Sequence, residues 1–394
     1  MHLFIVHQFP DYDNSVPIII NLKKKVNSKF AIMNIFPVHD LKYYRFNSLL
    51  KKYEIQFIDI CEINIRSILI NLLLSFVKIL PHAIIIKMNR VWYYFYHRYV
   101  LFNKNHIISL IKKKEIKSIN IDHGLPARYK KIFYVACKET NIKYNCYIPG
   151  VQLGMLKTKS EDFSLYDYAM IQDQILGIDD SEKNKKKFKR IASPRYSLDW
   201  LNEVEEMYRY KLKEYSPDTF DRKLKVVLMT RAMFSEKTWQ ILYEELKKIN
   251  DIELKIKLKP RGQFRPLYAQ KNIINEYNTS ELINWADVIV SHTSSILNEA
   301  IIKNKKILFL NFLFDFEKQE KRSYVFENQH LVTNVNSKED LVMQIENLKT
   351  KQTHIMNDEK YQESKKIYLK KVFGGDYFDK KNIYEKNFID IYQN

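Results

Sequence analysis

The stretch SHTSSILNEAIIKNKKILFLNF, Ser291 to Phe312, decides the fold. The run ADVIV just before it, residues 286–290, is short and β-branched and reads as a buried strand. Ile296, Leu297, Ala300, Ile301 and Ile302 then recur at helical spacing, and KKILFLNF reads as the next strand. The unit is strand, Ser/Thr turn, helix, strand. Such a turn aims backbone N–H groups and hydroxyls at whatever sits above the carboxyl edge of a parallel sheet, where phosphate-bearing ligands bind. The bland alternative is that Thr293 or Ser294 only caps the helix, since Ser and Thr are favoured N-caps anywhere.

The same alternation extends outward along the chain. LFIVH, FAIMNIF, YEIQFIDI, IKSINID, YNCYIP and YDYAMIQ read as strands of a first half, with helical stretches between several of them. A charged break, DDSEKNKKKFKR, precedes IASPRYSLDW and a charged helix around LNEVEEMYRYKLKEYS. RKLKVVLMT then restarts the strand series, which continues through IELKIKLKP, KNIINEY, ADVIVSH and KKILFLNF. The expected architecture is α/β, two doubly wound Rossmann-type domains facing a central cleft and joined near residues 195–222. Boundaries follow at 1–195 for an N-terminal acceptor-side domain and 196–375 for a C-terminal donor-binding domain, with a 376–394 helix packing back on the first.

A chain of 394 residues, 46% hydrophobic and 28% charged, is long enough for two cores. Cys61, Cys137 and Cys146 form no CxxC pair and have no histidine at ligand spacing, so neither a disulfide framework nor a structural zinc site is implied. A reducing, cytoplasmic setting fits, and MHLFIVHQFP reads as a first strand, without the charged start of a signal peptide. The formal net charge is +19, with lysines gathered in NLKKKVNSK, IKKKEIK, RYKK and EKNKKKFKR. Solvated faces, an anionic membrane or an anionic substrate account for them. Nucleic acid is not expected as a partner, because zinc-finger spacing, RNP-type aromatics and a glycine-rich basic tail are all missing. The most apolar segment, residues 65–87, is interrupted by Lys78, Pro81 and His82 before it reaches the ~20 apolar residues of a spanning helix. With NRVWYYFYHRYVLF after it, it is either a buried helix of the first core or an aromatic, basic surface resting on the inner face of a membrane.

Four short motifs fall at predicted strand ends. INIDHGLPARYKK closes a strand in Asp122-His123-Gly124, where the glycine permits a tight turn and either Asp122 or His123 projects as a proton acceptor. His123 is preferred, because an unperturbed imidazole titrates near neutrality while Asp122 would need a raised pKa. Ser193-Pro194-Arg195 sets a guanidinium at the domain junction, as a phosphate contact or as an anchor for the linker. Lys259-Pro260-Arg261 forms a rigid electropositive corner. With Thr230-Arg231 and Ser294-Ser295 it gives three strand ends of one sheet that offer phosphate-binding groups.

These four motifs, in this order, resemble the GT-B glycosyltransferases of bacterial surface-polysaccharide assembly, a group close to the CDP-glycerol glycerophosphotransferases and to the capsule Kdo and sialic acid transferases. The resemblance runs from about residue 115 to about residue 380. It implies a His-Gly or acidic-Gly motif in the first domain (Asp122-His123-Gly124), a Pro-Arg turn (Ser193-Pro194-Arg195), a basic His-Pro motif and paired serines opening a late helix (Ser294-Ser295). Glu299 then stands where related folds hold ribose or sugar hydroxyls. One departure is that Lys259 replaces the histidine of His-Pro, which passes the grip on the leaving phosphate to Lys259 or Arg261.

The resemblance implies transfer of a sugar from a nucleotide-activated donor to a glycan or lipid-linked acceptor, with no metal or other cofactor. The +19 charge and the aromatic, basic stretch from Ile65 to Phe102 lead to the expectation of a protein peripheral on the cytoplasmic membrane face. Lys259, Arg261, Thr230, Arg231, Ser294 and Ser295 would stabilise the departing phosphate, Glu299 would accept a donor hydroxyl, and Asp122 or His123 would take the acceptor proton. Glycerophosphate transfer and a non-catalytic sugar-nucleotide or polyanion-binding scaffold are the competing expectations. Asp11 to Asp13 has the acid-x-acid spacing of metal-dependent sugar transferases, and its position after the first strand makes it a polar loop instead.

Overall fold

The computed structural model describes residues 1–6, 9–35, 47–59, 104–148, 163–171, 186–191, 193–212, 223–230, 235–258, 279–292, 294, 296–313, 330–350, 358–373 and 389–392. The chain divides into two compact units. The first comprises Met1–Gly150, Ser160–Arg195 and Phe378–Asn394, and the second Val151–Lys159 and Tyr196–Tyr377.

The first unit holds a seven-stranded sheet in the order β3-β2-β1-β4-β5-β6-β7. Its strands are β1 (His2–Val6), β2 (Phe30–Asn34), β3 (Gln56–Asp59), β4 (Ser118–Asp122), β5 (Lys143–Tyr147), β6 (Tyr168–Ile171) and β7 (Phe188–Arg190). Every pairing is parallel. β1, β2 and β4 are buried along their whole length, as expected of central strands covered by helices on both faces. The helices described are α1 (Phe9–Lys25), α2 (Asn47–Lys52), α3 (Lys104–Lys113) and α4 (Ala127–Thr140). α4 shows why the chain turns where it does. Asn141 closes it in the left-handed conformation, φ 54°, and donates its N–H to the carbonyls of Cys137 and Lys138. The strand order reverses between β1 and β4, which makes their carboxyl ends the switch point of this sheet.

The second unit holds β8 (Leu224–Met229), β9 (Ile252–Lys257), β10 (Val288–Ser291), β11 (Lys306–Leu310) and β12 (Thr333–Val335), in the order β12-β11-β10-β8-β9 and all parallel. Its helices are α5 (Leu198–Leu212), α6 (Glu236–Lys247), α7 (Thr279–Trp285), α8 (Ile296–Ile302), α9 (Lys338–Thr350) and α10 (Glu359–Phe373). Its core gathers Val226, Leu228, Trp239, Leu242, Val290 and Leu308, among others. Here the order reverses between β8 and β10.

Three details depart from the sequence reading. Asp11 to Asp13, read as a polar loop after the first strand, lie within α1, which begins at Phe9. The charged run before residue 191 is not a plain break, because Phe188–Arg190 adds β7 to the edge of the first sheet, and an edge tolerates basic residues. β12, only three residues long, carries too short a pattern to stand out. The KNIINEY strand, Cys61 and the aromatic, basic stretch 65–102 lie outside the described residues. Among the described residues, no helix is long and apolar enough to cross a membrane.

The C-terminal residues are tied into the first unit by Tyr392. Its hydroxyl donates to Asn120 Oδ1 (3.0 Å), and its ring meets His2 edge-on at 5.0 Å. Asn120 also accepts from Asn145 Nδ2 (3.0 Å) and donates to the Leu3 carbonyl and Ser118 Oγ (3.1 Å each), so a polar ladder crosses β1, β4 and β5.

Candidate functional site

Each unit presents polar side chains at its own switch point. In the first, Asp122 ends β4, and His123 and Gly124 follow it. Asp122 is buried, and its Oδ1 accepts the Gly124 N–H at 2.6 Å while its carbonyl accepts Leu125 N–H at 3.0 Å. A Cβ at position 124 would stand 3.0 Å from that same carboxylate oxygen, so any larger residue there would press on the carboxylate that closes the turn. The carboxylate therefore closes the turn, whatever else it does.

His123 lies against aromatic rings. Its imidazole stacks on Phe163 with centroids 4.9 Å apart, meets Tyr166 edge-on at 6.2 Å, and has both ring nitrogens shielded from solvent. Burial, reinforced by the charge of Lys130, lowers its pKa from the ordinary 6.5 to about 3. The near-neutral pKa that favours His123 as a base in the sequence is thus lost in the fold. The ring is a neutral imidazole at physiological pH and a weak proton acceptor in this conformation.

Arg195, leading out of the first unit, donates from Nη1 to Asn14 Oδ1 at 3.3 Å and has Nη2 3.8 Å from Asp13 Oδ2. Both partners lie in the early turns of α1, the helix that follows β1. These contacts tie the Pro-Arg turn to α1. Among the described residues, no group of three or more His, Cys, Asp or Glu side chains converges on a metal position.

In the second unit, Thr230 follows β8 and Ser294 follows β10, on the two strands that flank the switch point. Thr230 donates its N–H to the Lys257 carbonyl (3.0 Å), and its hydroxyl reaches the same oxygen at 3.3 Å. Ser294 accepts Leu297 N–H on its carbonyl (3.1 Å), while its Oγ stands 3.5 Å from Ile296 N. That is a long contact, so Ser294 starts α8 with its hydroxyl only loosely engaged. Glu299 is buried: Ser280 Oγ donates to its Oε2 at 3.1 Å, and Lys303 Nζ lies 3.3 Å from its Oε1. A donor hydroxyl would have to compete with Ser280 for this carboxylate. Arg231, Lys259, Arg261 and Ser295 lie outside the described residues.

The sequence reading passed over His292, which follows β10 directly, is almost wholly buried and packs its ring 5.2 Å from Phe309. Its place in SHTSS, next to the serines, is the only sequence signal for it. The supports beneath α8 were also silent. From α10, Tyr368 donates to Asn298 Oδ1 (2.6 Å) and Lys365 Nζ to the Ile302 carbonyl (2.7 Å) and Asn304 Oδ1 (2.8 Å), which fastens a helix of only seven residues.

No family model matches the sequence, and no curated protein matches it. Solved structures do resemble its fold. The wall teichoic acid polymerase TagF aligns with TM-score 0.54 at 14% identity, covering 99% of this chain and 89% of that one. A UDP-GlcNAc 2-epimerase from Neisseria meningitidis, bound to UDP-GlcNAc, aligns with TM-score 0.52 at 13% identity over 95% of this chain and 99% of its own. A UDP-GlcNAc 2-epimerase from Methanocaldococcus jannaschii gives TM-score 0.52 at 12% identity over 91% and 94%. At such identities the likeness speaks for the fold. The chain is a GT-B-like protein, built as two doubly wound α/β units with parallel sheets.

Proposed function

We propose that this protein is a glycosyltransferase that moves a sugar from a nucleotide-activated donor to a growing cell-surface polysaccharide, on the cytoplasmic face of the membrane. The observation that carries the reading is the placement of Asp122-His123 at the switch point of one sheet and of Thr230 and Ser294 at that of the other, within a GT-B-like fold. Fold neighbours solved with UDP-GlcNAc and with UDP support a nucleotide-linked donor.

In this reading the donor diphosphate is gripped by Thr230 and Ser294 together with Arg231, Lys259, Arg261 and Ser295. Glu299 exchanges Ser280 for a donor hydroxyl. The developing negative charge on the leaving phosphate is what these donors stabilise, and no metal is called on for that step. The first unit supplies the proton acceptor for the acceptor hydroxyl, from Asp122 or His123. The net charge of +19 keeps the protein near anionic lipid and lipid-linked acceptor.

The test is a thermal-shift screen against CMP-, CDP-, UDP- and GDP-linked compounds, followed by turnover assays with whichever donor binds. A Tm rise confined to one nucleotide class, with sugar transferred to an acceptor, is expected. Transfer of glycerophosphate, epimerisation of the donor without an acceptor, or binding without turnover would each replace the reading. No Tm rise with any nucleotide would end it.

A further inference from the structure

Three backbone carbonyls converge on one lysine ammonium close to the His123 site. Lys187, which leads into β7, donates from Nζ to the carbonyls of Tyr166 (2.7 Å), Ser164 (2.8 Å) and Phe163 (3.3 Å). An ammonium has three donors, and here each meets a carbonyl of the same short turn. The turn is also pinned at its far end. Asp167 accepts Tyr144 N–H on Oδ2 (2.8 Å) and returns its own N–H to the Tyr144 carbonyl (2.8 Å). Phe163 and Tyr166, the two rings that flank the His123 imidazole, are therefore the side chains of a turn whose carbonyls face a single cation.

We propose that Lys187 is a positioning residue for His123: its ammonium holds the Phe163–Tyr166 turn, and the turn's two rings set the orientation and solvent shielding of the imidazole at the carboxyl end of β4. Charge-assisted bonds to three carbonyls reinforce a turn that the Tyr166 N–H to Phe163 carbonyl bond, 3.2 Å long, also closes. Without the ammonium, those carbonyls must turn to water and the rings move with them. The functional half of the proposal rests on the reading of His123 given above. The structural half does not.

The experiment compares wild type with Lys187→Met, Lys187→Arg and Phe163→Leu by NMR of the imidazole C–H resonances, with His123 assigned through His123→Gln. In wild type, His123 should show ring-current-shifted resonances and titrate far below 6.5. In Lys187→Met those resonances should move toward free-imidazole positions and the midpoint should rise, with partial return in Lys187→Arg, whose guanidinium can also reach several carbonyls. Phe163→Leu, which leaves Lys187 and the turn backbone in place, should reproduce the shift if Lys187→Met does not fold. In the transferase assay, Lys187→Met should change kcat roughly 10- to 100-fold with donor KM unchanged, since the position and basicity of a proton acceptor act on rate more than on binding. Unmoved His123 resonances in folded Lys187→Met, or in Phe163→Leu, would overturn the proposal. Moved resonances in a protein whose His123→Gln variant keeps full activity would uphold the positioning and remove His123 from catalysis.

Discussion

Asp122 Oδ1 and the backbone N–H of Gly124 are joined by a 2.6 Å hydrogen bond that closes the turn after β4. One carboxylate oxygen is thus committed to structure in a residue that also stands at the switch point of its sheet.

Asparagine offers the same acceptor oxygen, so Asp122→Asn should keep the turn and lower stability little. Asp122→Ala removes the acceptor and should lose about 1.5–3 kcal/mol, the usual worth of a hydrogen bond to a charged group. Gly124→Ala should also destabilise, because its Cβ would sit 3.0 Å from the carboxylate oxygen. Urea unfolding of the three variants checks the order, and equal midpoints for Asp122→Asn and Asp122→Ala would contradict it.

Two histidines, His2 buried and His123 half-buried, should make the first unit acid-sensitive. Burial lowers the pKa of His2 to about 4 and that of His123 to about 3, against 6.5 for each in the unfolded chain. As pH falls below 6.5 the unfolded state takes up protons first. The stabilisation is therefore complete above about 6.5 and is lost progressively as pH falls toward the folded values. Each histidine adds at most about 1.4 kcal/mol per pH unit to the slope. Unfolding of wild type, His2→Gln and His123→Gln between pH 7 and 4.5 should give shallower slopes in both variants, and parallel curves would refute the assignment.

Lys365 produces an effect of the same sign in an alkaline window of the second unit. It is buried, and burial lowers its pKa from 10.5 to about 8. Between those values the unfolded lysine keeps the proton that the native one has lost, so its contribution to stability rises with pH across that range. Lys365→Met should be less stable throughout, since the Ile302 carbonyl and Asn304 Oδ1 lose a donor. Its stability relative to wild type should also fall further behind from pH 8 to pH 10. A constant difference would mean that Lys365 does not titrate there.

How much of this was readable in the sequence follows the range of the interaction. ADVIV and KKILFLNF declare themselves because a buried parallel strand is a continuous apolar run, and β10 and β11 lie where those runs stand. The turn at Asp122-His123-Gly124 was visible because aspartate and glycine favour turns for local reasons. The state of His123 was not, since Phe163 and Lys187, 40 and 64 positions further on, decide it. The same is true of Glu299, for which the family resemblance implied a ligand contact while Ser280, 19 residues earlier, holds its carboxylate. β7 stayed hidden because an edge strand of three residues inside a lysine run has no hydrophobic signature.

The sharpest functional prediction uses the fact that the turn-closing and proton-accepting roles of Asp122 can be separated. Asp122→Ala would confound them, because it removes the base and the Gly124 acceptor together. Asp122→Asn keeps the acceptor and cannot take a proton, so any loss of turnover it shows belongs to proton transfer. His123→Gln removes the imidazole without touching the Asp122 turn. Proton abstraction by a positioned side chain contributes ~100- to 10,000-fold, and the loss should fall on kcat with donor KM little changed. Thr230→Ala and Ser294→Ala should instead raise the donor KM, because the phosphate they grip is charged before the reaction starts. A large kcat loss in His123→Gln with activity kept in Asp122→Asn would name His123 as the base despite its buried ring, and require the ring to gain polarity when the acceptor binds. The converse would name Asp122, with its second carboxylate oxygen as the acceptor. Full turnover in both variants, with the fold intact by circular dichroism, would remove this turn from the chemistry and leave only nucleotide binding at the second switch point.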